Sequence, residues 1–264
     1  MNERDQKHSP PQRKKRVALF VTCLADLFRP SVAFASIKLL EQAGCEVTVP
    51  LRQTCCGQPA YNSGNYEEAV LQAQEVIQLL GGADYVVVPS GSCAGMISHH
   101  YPAMLEGEWR EQALELAAKT FELTVFLKDI ARIRPQRKKS PPKLPAVVYH
   151  DGCAGLRELN IKSQPRDLLR ELSGIEVSEL QQSEVCCGFG GTFCAKMPEI
   201  SGKMVDDKLK DALATGAKIL AGGDLGCLLN IAGRAERLGE DIDVRHVAEL
   251  LCHDLDSPAI GKGR

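Results

Sequence analysis

The feature that most constrains the fold of this 264-residue chain is a pattern of cysteines that occurs twice. A Cys-Cys-Gly tripeptide occupies residues 55–57 and again residues 186–188, with one outer cysteine before each tripeptide and another after it. Corresponding cysteines are 130 to 134 residues apart. The two sets are Cys23, Cys55, Cys56 and Cys93, and Cys153, Cys186, Cys187 and Cys227. Such internal similarity predicts two structural halves with the same fold.

The residues between the two sets suggest where the halves begin and end. Residues 132–144 are basic, contain prolines and lack apolar periodicity, which is more typical of a solvated linker than of a nucleic-acid site. Residues 1–15 are polar, and we expect them to form a mobile tail. The predicted organisation is therefore a first half over residues 16–131, the linker, and a second half over residues 145–264.

Strand-like and helix-like segments alternate in both halves. Short apolar runs predict strands, and apolar residues at helical spacing predict helices. The predicted strands cover residues 17–21, 46–49, 85–88, 146–149, 175–180 and 219–221. The predicted helices cover residues 31–43, 66–80, 165–173 and 199–214. This alternation predicts an α/β fold with two duplicated halves, each a small, mostly parallel sheet flanked by helices, related by pseudo-two-fold symmetry.

The cysteines fall just after the predicted strands. In open α/β sheets, sites form beyond the carboxyl ends of the strands. We therefore expect the four sulfurs of each set to meet at one sheet edge, although the first and last cysteines of a set are about 70 residues apart in sequence.

Four converging thiols favour a metal or redox role. A chain of this size needs no disulfides to form a core, and an odd total of eleven cysteines argues against a disulfide framework. A zinc site made of two close cysteine pairs is not favoured, because no two cysteines are separated by two to four residues. An iron–sulfur cluster accepts ligands from adjacent residues and from distant loops. The cluster is the preferred interpretation, and zinc or a thiol-only site stays open.

Other classes of function are disfavoured. With 32 basic and 34 acidic side chains and 5% aromatic residues, the chain lacks the charge and the stacking surface of a nucleic-acid binder. No apolar run reaches the length of a membrane span, and we expect a cytoplasmic protein although residues 13–21 imitate a short signal peptide. No Gly-x-Gly-x-x-Gly motif predicts NAD or flavin binding.

The remaining cysteines and the histidines near the motifs are assigned more modest roles. Cys45 and Cys252 are expected in the core, whereas the role of Cys194 in a glycine-rich segment is left open. The histidines at positions 99, 100 and 150 are more typical of side chains near a metal centre than of a catalytic base. No catalytic residue is assigned.

Four segments carry a resemblance to a known family. Residues 53–64, 93–96, 186–193 and 226–233 resemble the cysteine-rich (CCG) domain proteins, and among them the lactate utilisation A family of iron–sulfur subunits. More remotely, the chain is similar to the cysteine-rich subunit of heterodisulfide reductase and to the iron–sulfur subunits of glycolate oxidase and anaerobic glycerol-3-phosphate dehydrogenase. The resemblance covers residues 16–252.

This resemblance implies a function, a cofactor and partners. It implies an oxidoreductase complex subunit, not catalytically complete alone, that transfers electrons while L-lactate is oxidised to pyruvate. The implied partners are a ferredoxin-like iron–sulfur subunit and a third small subunit. The implied cofactor is one or two [4Fe-4S] clusters. The implied ligands are Cys23, Cys55, Cys56, Cys93, Cys153, Cys186, Cys187 and Cys227.

The sequence also departs from its relatives. Heterodisulfide reductase subunits carry a further cysteine where this chain has Met96 and Asn230, which favours ordinary four-ligand clusters here. Ala154 stands where relatives often have histidine, and Cys194 where they often have serine or threonine. The alternative functions are a thiol-disulfide reductase subunit of the heterodisulfide type and a zinc-stabilised assembly scaffold.

Overall fold

A computed structural model describes residues 14–135 and 145–263. Residues 1–13 of the expected tail and residues 136–144 of the expected linker lie outside this part of the chain.

The first half is a parallel sheet with helices on its faces. Its strands are β1 (Arg16–Leu19), β2 (Glu46–Thr48), β3 (Tyr85–Val88) and β4 (Thr120–Glu122). Its helices are α1 (Cys23–Phe28), α2 (Pro30–Gln42), α3 (Gln58–Asn62), α4 (Tyr66–Leu80), α5 (Gly91–Gly95), α6 (Tyr101–Met104), α7 (Gly107–Ala118) and α8 (Leu123–Val125), with π-helical turns at Met96–His100 and Phe126–Ile130. The strand order is β2-β1-β3-β4, and every neighbouring pair is parallel.

The second half repeats this arrangement. Its strands are β5 (Val147–His150), β6 (Val177–Ser178), β7 (Ile219–Gly222) and β8 (Asp243–His246). Its helices are α9 (Cys153–Arg157), α10 (Ser163–Ser173), α11 (Phe193–Lys196), α12 (Pro198–Ala214), α13 (Leu225–Leu238) and α14 (Val247–Leu251). The order β6-β5-β7-β8 is again parallel throughout. The predicted α/β class with two duplicated sheets is confirmed.

The long helices α4 and α12 bury residues at corresponding positions. In α4, apolar residues at three- and four-residue spacing face the core, which is the pattern of an amphipathic helix. The buried residues of α4 are Ala69, Ala73, Val76, Ile77 and Leu80. A shift of 132 residues places each of them on a buried residue of α12, namely Ser201, Val205, Lys208, Leu209 and Ala212. The two helices therefore present the same face to their sheets.

Helix pairs across the two halves show the two-fold relation. Helix α2 of the first half packs on α14 of the second, and α10 of the second half packs on α8 of the first. Because α2 corresponds to α10 and α8 to α14, the same contact is made twice with the roles exchanged. The core between the two sheets includes buried residues of both halves, such as Leu39, Phe126, Leu168 and Val247.

Two features of the fold differ from the sequence prediction. Strands β4 and β8 extend each sheet to four strands, whereas the prediction had three. Strand β6 is only two residues long, although residues 175–180 were predicted to be extended.

Within residues 14–135 and 145–263, no helix combines the length and the apolarity that a membrane crossing requires.

Candidate metal centres

All eight predicted ligand cysteines lie at the carboxyl ends of the strands. In each half, the first cysteine begins the helix after the first strand, as Cys23 does for α1 and Cys153 for α9. The Cys-Cys pairs lie in the loops that follow β2 and β6. The last cysteines lie in the first turns of α5 and α13, directly after β3 and β7. The topology thus brings three loops of each half to one edge of its sheet.

The sulfurs of the first set are in contact. The Sγ atoms of Cys23 and Cys55 are 3.8 Å apart, and those of Cys56 and Cys93 are 3.3 Å apart. Cys55 and Cys56 are neighbours in sequence, so the four sulfurs form a continuous group. Cys56 is buried, whereas Cys23 and Cys55 are half-buried and lie toward the surface.

These contacts shift the pKa values of the thiols in opposite directions. Hydrogen bonds from the thiols of Cys23 and Cys56 lower the pKa of Cys55 to about 3. The same hydrogen bond to Cys55, together with burial, raises the pKa of Cys23. Contacts with Cys55 and Cys93, followed by burial, raise the pKa of Cys56 well above its ordinary value. These contacts favour the thiolate form of Cys55 and the thiol forms of Cys23 and Cys56, so metal binding by Cys23 and Cys56 requires the release of protons.

The second set shows the same pattern. Hydrogen bonds from the thiols of Cys153 and Cys187 lower the pKa of Cys186 to about 2. The pKa of Cys187 is raised by its contacts with Cys186 and Cys227 and by burial. The backbone N–H groups of Gly188 and Phe189 lie 3.3 Å from Cys186 Sγ and 3.5 Å from Cys187 Sγ, respectively. Such donors stabilise anionic sulfur.

Two buried polar side chains lie beside the second set. His150, the last residue of β5, has a ring nitrogen within 4.8 Å of the Sγ atoms of Cys187 and Cys227. Both of its ring nitrogens are buried without a hydrogen-bond partner, and burial lowers its pKa to about 4. Lys208 of α12 is 1% exposed, and its Nζ donates to the carbonyl oxygen of Gln182 at 2.6 Å. Its pKa is lowered by burial.

The loop of the second Cys-Cys pair is closely packed. Gly188 has a φ of +82°, and a Cβ at this position would lie 2.8 Å from the carbonyl oxygen of Ser201 and 3.0 Å from Cβ of Met204. Gly57 of the first pair has a φ of +85°, but a Cβ there would meet its nearest neighbours at 3.4 Å. Both turns require glycine for the backbone, and the second also requires it for space.

The second half forms part of the wall around the first set. A cavity of about 230 Å³ lies beside Cys23, Cys56 and Cys93, and Phe189 and Asp224 of the second half line its other side. The carboxylate of Asp224 accepts hydrogen bonds from the backbone N–H of Ser92 at 2.9 Å and from the hydroxyl of Ser90 at 3.1 Å. The first site is therefore completed by both halves.

The outer side of the first set borders the surface. Cys23 and Cys55 line a groove of about 600 Å³, together with Leu27, Phe34 and Leu51. These three apolar side chains are exposed, and Leu51 is 98% exposed.

The remaining cysteines make other contacts. Cys45 is buried in the core between the sheets, and Cys252 packs against the same core, as predicted. Cys194 is half-buried, and its thiol donates to the carbonyl oxygen of Gly191 at 3.3 Å.

His100 lies on the π-helical turn after Cys93, where its Nε2 is 3.2 Å from a carboxylate oxygen of Glu158.

The chemistry of the two sets fits a metal cluster. All eleven cysteines are in the described part of the chain, and each is a free thiol. Each set offers four sulfurs from three loops, and backbone N–H donors point at the sulfurs of the second set. Thiolates held close together in this way need a cation, because several adjacent negative charges cannot otherwise be buried. The assignment of the individual ligands stays a prediction.

Sequence comparisons identify similar proteins over most of the chain. The profile of the cysteine-rich domain family, CCG, matches residues 17–98 and 147–232. A Bacillus cereus protein named Lactate utilization protein A 2 is 46% identical over 243 residues, which are 91% of this chain and 99% of that protein. A Halalkalibacterium halodurans protein named Lactate utilization protein A is 45% identical over 240 residues, 90% of this chain and 97% of that protein.

Comparison with solved structures supports the fold. A hypothetical protein from Helicobacter pylori is similar with a TM-score of 0.66 at 12% sequence identity. The similarity covers 97% of this chain and 50% of that structure, so this chain spans about half its length.

Proposed function

Because the chain belongs to the cysteine-rich (CCG) domain family and, within it, to the lactate utilization A proteins, we propose that it is an iron–sulfur electron-transfer subunit of a complex that oxidises L-lactate to pyruvate. The observation that carries this proposal is the convergence of two sets of four unpaired cysteines at the carboxyl ends of two equivalent sheets.

The proposed ligands are the eight cysteines of the two sets. Cys23, Cys55, Cys56 and Cys93 would hold one [4Fe-4S] cluster, and Cys153, Cys186, Cys187 and Cys227 a second. A bound cluster supplies a site that accepts and returns single electrons. The chain's own contribution is to fix the sulfurs, to donate N–H groups to them and to exclude water from the buried cysteines, all of which tune the reduction potential.

The surface position of Cys23 and Cys55 supports electron exchange with another subunit. These two half-buried cysteines border an open groove, so a partner could approach the first centre closely. We propose that the partners are a ferredoxin-like iron–sulfur subunit and a third small subunit. The proposal places the complex in the cytoplasm and includes no NAD or flavin site in this chain.

The proposed domain limits follow the two sheets. Residues 16–131 and 145–264 would form the two CCG halves, with residues 1–15 and 132–144 outside them. Strands β1 to β4 all precede residue 131, and strands β5 to β8 all follow residue 145, which supports these limits.

Reconstitution of the complex tests the proposed function. The anaerobically purified chain is mixed with the two proposed partner subunits, and the iron–sulfur absorption of this chain is followed after addition of L-lactate. We expect bleaching with L-lactate only when all subunits are present, and none when a Cys56→Ser, Cys187→Ser double variant replaces this chain. Lactate oxidation at an undiminished rate without this chain would contradict the proposal.

A further inference from the structure

His150 and Phe20 occupy equivalent positions in the two halves. Val17 and Val147 pair with Tyr85 and Ile219 at the same register of their sheets. Phe20 and His150 follow these two valines by three residues. Cys23 and Cys153 follow three residues after that. Phe20 is fully buried in an apolar core, whereas His150 is just as buried but polar.

The polar atoms of His150 have no partner within the protein. Neither ring nitrogen forms a hydrogen bond with any described residue, and both are inaccessible to solvent. A buried polar group without a partner destabilises the folded state, and the apolar Phe20 at the equivalent position of the first half avoids this cost. Retaining an imidazole at this position is therefore explained if one nitrogen binds something that the polypeptide does not supply.

The atoms around the imidazole fit a metal as that ligand. One ring nitrogen of His150 and the Sγ atoms of Cys187 and Cys227 all lie within 4.8 Å of one another. In an iron–sulfur cluster each protein donor binds its own iron, so donors to one cluster lie near one another without sharing an ion. The three atoms are close enough to face one cluster, and neutral imidazole is the commonest metal ligand in proteins.

We propose that a ring nitrogen of His150 binds iron in the second centre in place of one of the four thiolates proposed above, and that the first centre has thiolate ligands only. This inference rests on the proposed iron–sulfur function and makes the two centres chemically different. Replacement of thiolate by imidazole ligands raises the reduction potential of iron–sulfur centres. The second centre is therefore the more easily reduced of the two.

Isotope labelling with pulsed EPR tests the ligand directly. The protein is purified anaerobically with natural histidine and with ¹⁵N-histidine, and nitrogen hyperfine couplings are recorded in the reduced state. We expect a coupling that changes with the histidine isotope and is lost in His150→Phe, which installs the first-half residue. The midpoint potential of one of the two centres should fall in the same variant. The matched control is His100→Phe, which removes the histidine seven residues after Cys93 and should leave both readouts unchanged.

The outcomes separate this inference from the proposed function. The ligand assignment is wrong if the wild-type protein contains iron and acid-labile sulfide but shows no histidine coupling, or if the coupling survives His150→Phe. Either result leaves the iron–sulfur function standing. A wild-type protein without iron and sulfide overturns the proposed function and the inference with it. The wild-type spectra decide the question even where the variant fails to fold.

Discussion

The cysteine sites of the two halves are built on the same backbone but lie in different surroundings. Beside the second set stand the buried polar side chains of His150 and Lys208. The equivalent positions beside the first set are Phe20 and Val76, both buried and apolar. The duplicated strands and loops fix where the sulfurs meet, whereas the side chains behind them set two different electrostatic environments.

A second difference lies at the ends of the fourth strands. Glu122 ends β4 and His246 ends β8, and each caps the helix that follows. The Glu122 carboxylate accepts the backbone N–H groups of Thr124 and Val125, whereas Nδ1 of His246 accepts that of Ala248. Burial raises the pKa of Glu122 to about 7 and lowers that of His246. A rising pH therefore disfavours the burial of Glu122, which must then ionise, and favours the burial of His246, which is then neutral.

The largest expected effect is the loss of one whole centre. Cys187→Ser should remove the second centre and keep the first, and Cys56→Ser should do the reverse, because each set is confined to its own sheet edge. Iron and sulfide per chain should fall by about half in either variant. Cys194→Ser, which keeps a donor for the Gly191 carbonyl, is the control and should retain the full content. Unchanged iron in both ligand variants would contradict the assignment.

The glycines after the Cys-Cys pairs should differ in their tolerance of a side chain. Gly57→Ala introduces the strain of a left-handed backbone, on the order of 1–2 kcal/mol. Gly188→Ala adds a clash with the Ser201 carbonyl and should lower the free energy of unfolding further.

Thermal unfolding of the two variants measures this difference. Gly44→Ala, at a φ of +82° with no atom within 4 Å of the added Cβ, isolates the backbone cost. Equal melting temperatures for the Gly57 and Gly188 variants would show that the second loop is not the tighter one.

Glu122 should make stability depend on pH. Its folded-state pKa of about 7 exceeds the ordinary value of 4.5, so the folded protein binds this proton more tightly. Its contribution to stability is greatest below about pH 4.5 and is lost as the pH rises through 7, by up to roughly 3 kcal/mol.

The variant Glu122→Gln tests this dependence, because an amide cannot ionise and its oxygen still accepts the capping N–H groups. We expect the free energy of unfolding of the wild-type protein to fall from pH 5 to pH 8 relative to this variant. Glu115→Gln, an exposed glutamate on α7, is the control. Parallel pH profiles for the wild-type and Glu122→Gln proteins would exclude the burial effect.

The smallest expected effect is a shift in reduction potential at Lys208. Lys208→Met removes a buried positive charge near the second set and should lower the midpoint potential of that centre alone, on the order of tens of millivolts. A redox titration followed by EPR measures both centres. Lys210→Met, an exposed lysine on the same helix, should leave both potentials unchanged. An equal shift at both centres would remove the distinction between the two environments.

The sequence predicted the parts of the fold that follow from local patterns. The cysteine repeat and the alternation of apolar runs with amphipathic segments indicated two parallel sheets, and helix α4 has the predicted limits. The strands β4 and β8 were missed because they are short and include Glu122, Arg245 and His246, which are polar in sequence but buried in the fold. Burial of a charged residue depends on tertiary contacts that no local pattern reports.

The candidate site was only partly predictable for the same reason. Placing each cysteine after a strand indicated that the sulfurs meet, because parallel strands share a carboxyl edge. Lys208 resembles a surface residue of an amphipathic helix, and nothing local shows that it faces the second set. The contact of Asp224 with Ser90 and Ser92 joins residues more than 130 positions apart, and it depends on how the two halves pack.

Metal analysis of the anaerobically purified wild-type protein shows whether the two sets of cysteines hold iron–sulfur clusters. If the two groups of sulfurs hold iron–sulfur clusters, iron and acid-labile sulfide should be present in nearly equal amounts, about eight of each per chain with both centres loaded. Zinc at full occupancy without sulfide would contradict iron–sulfur binding.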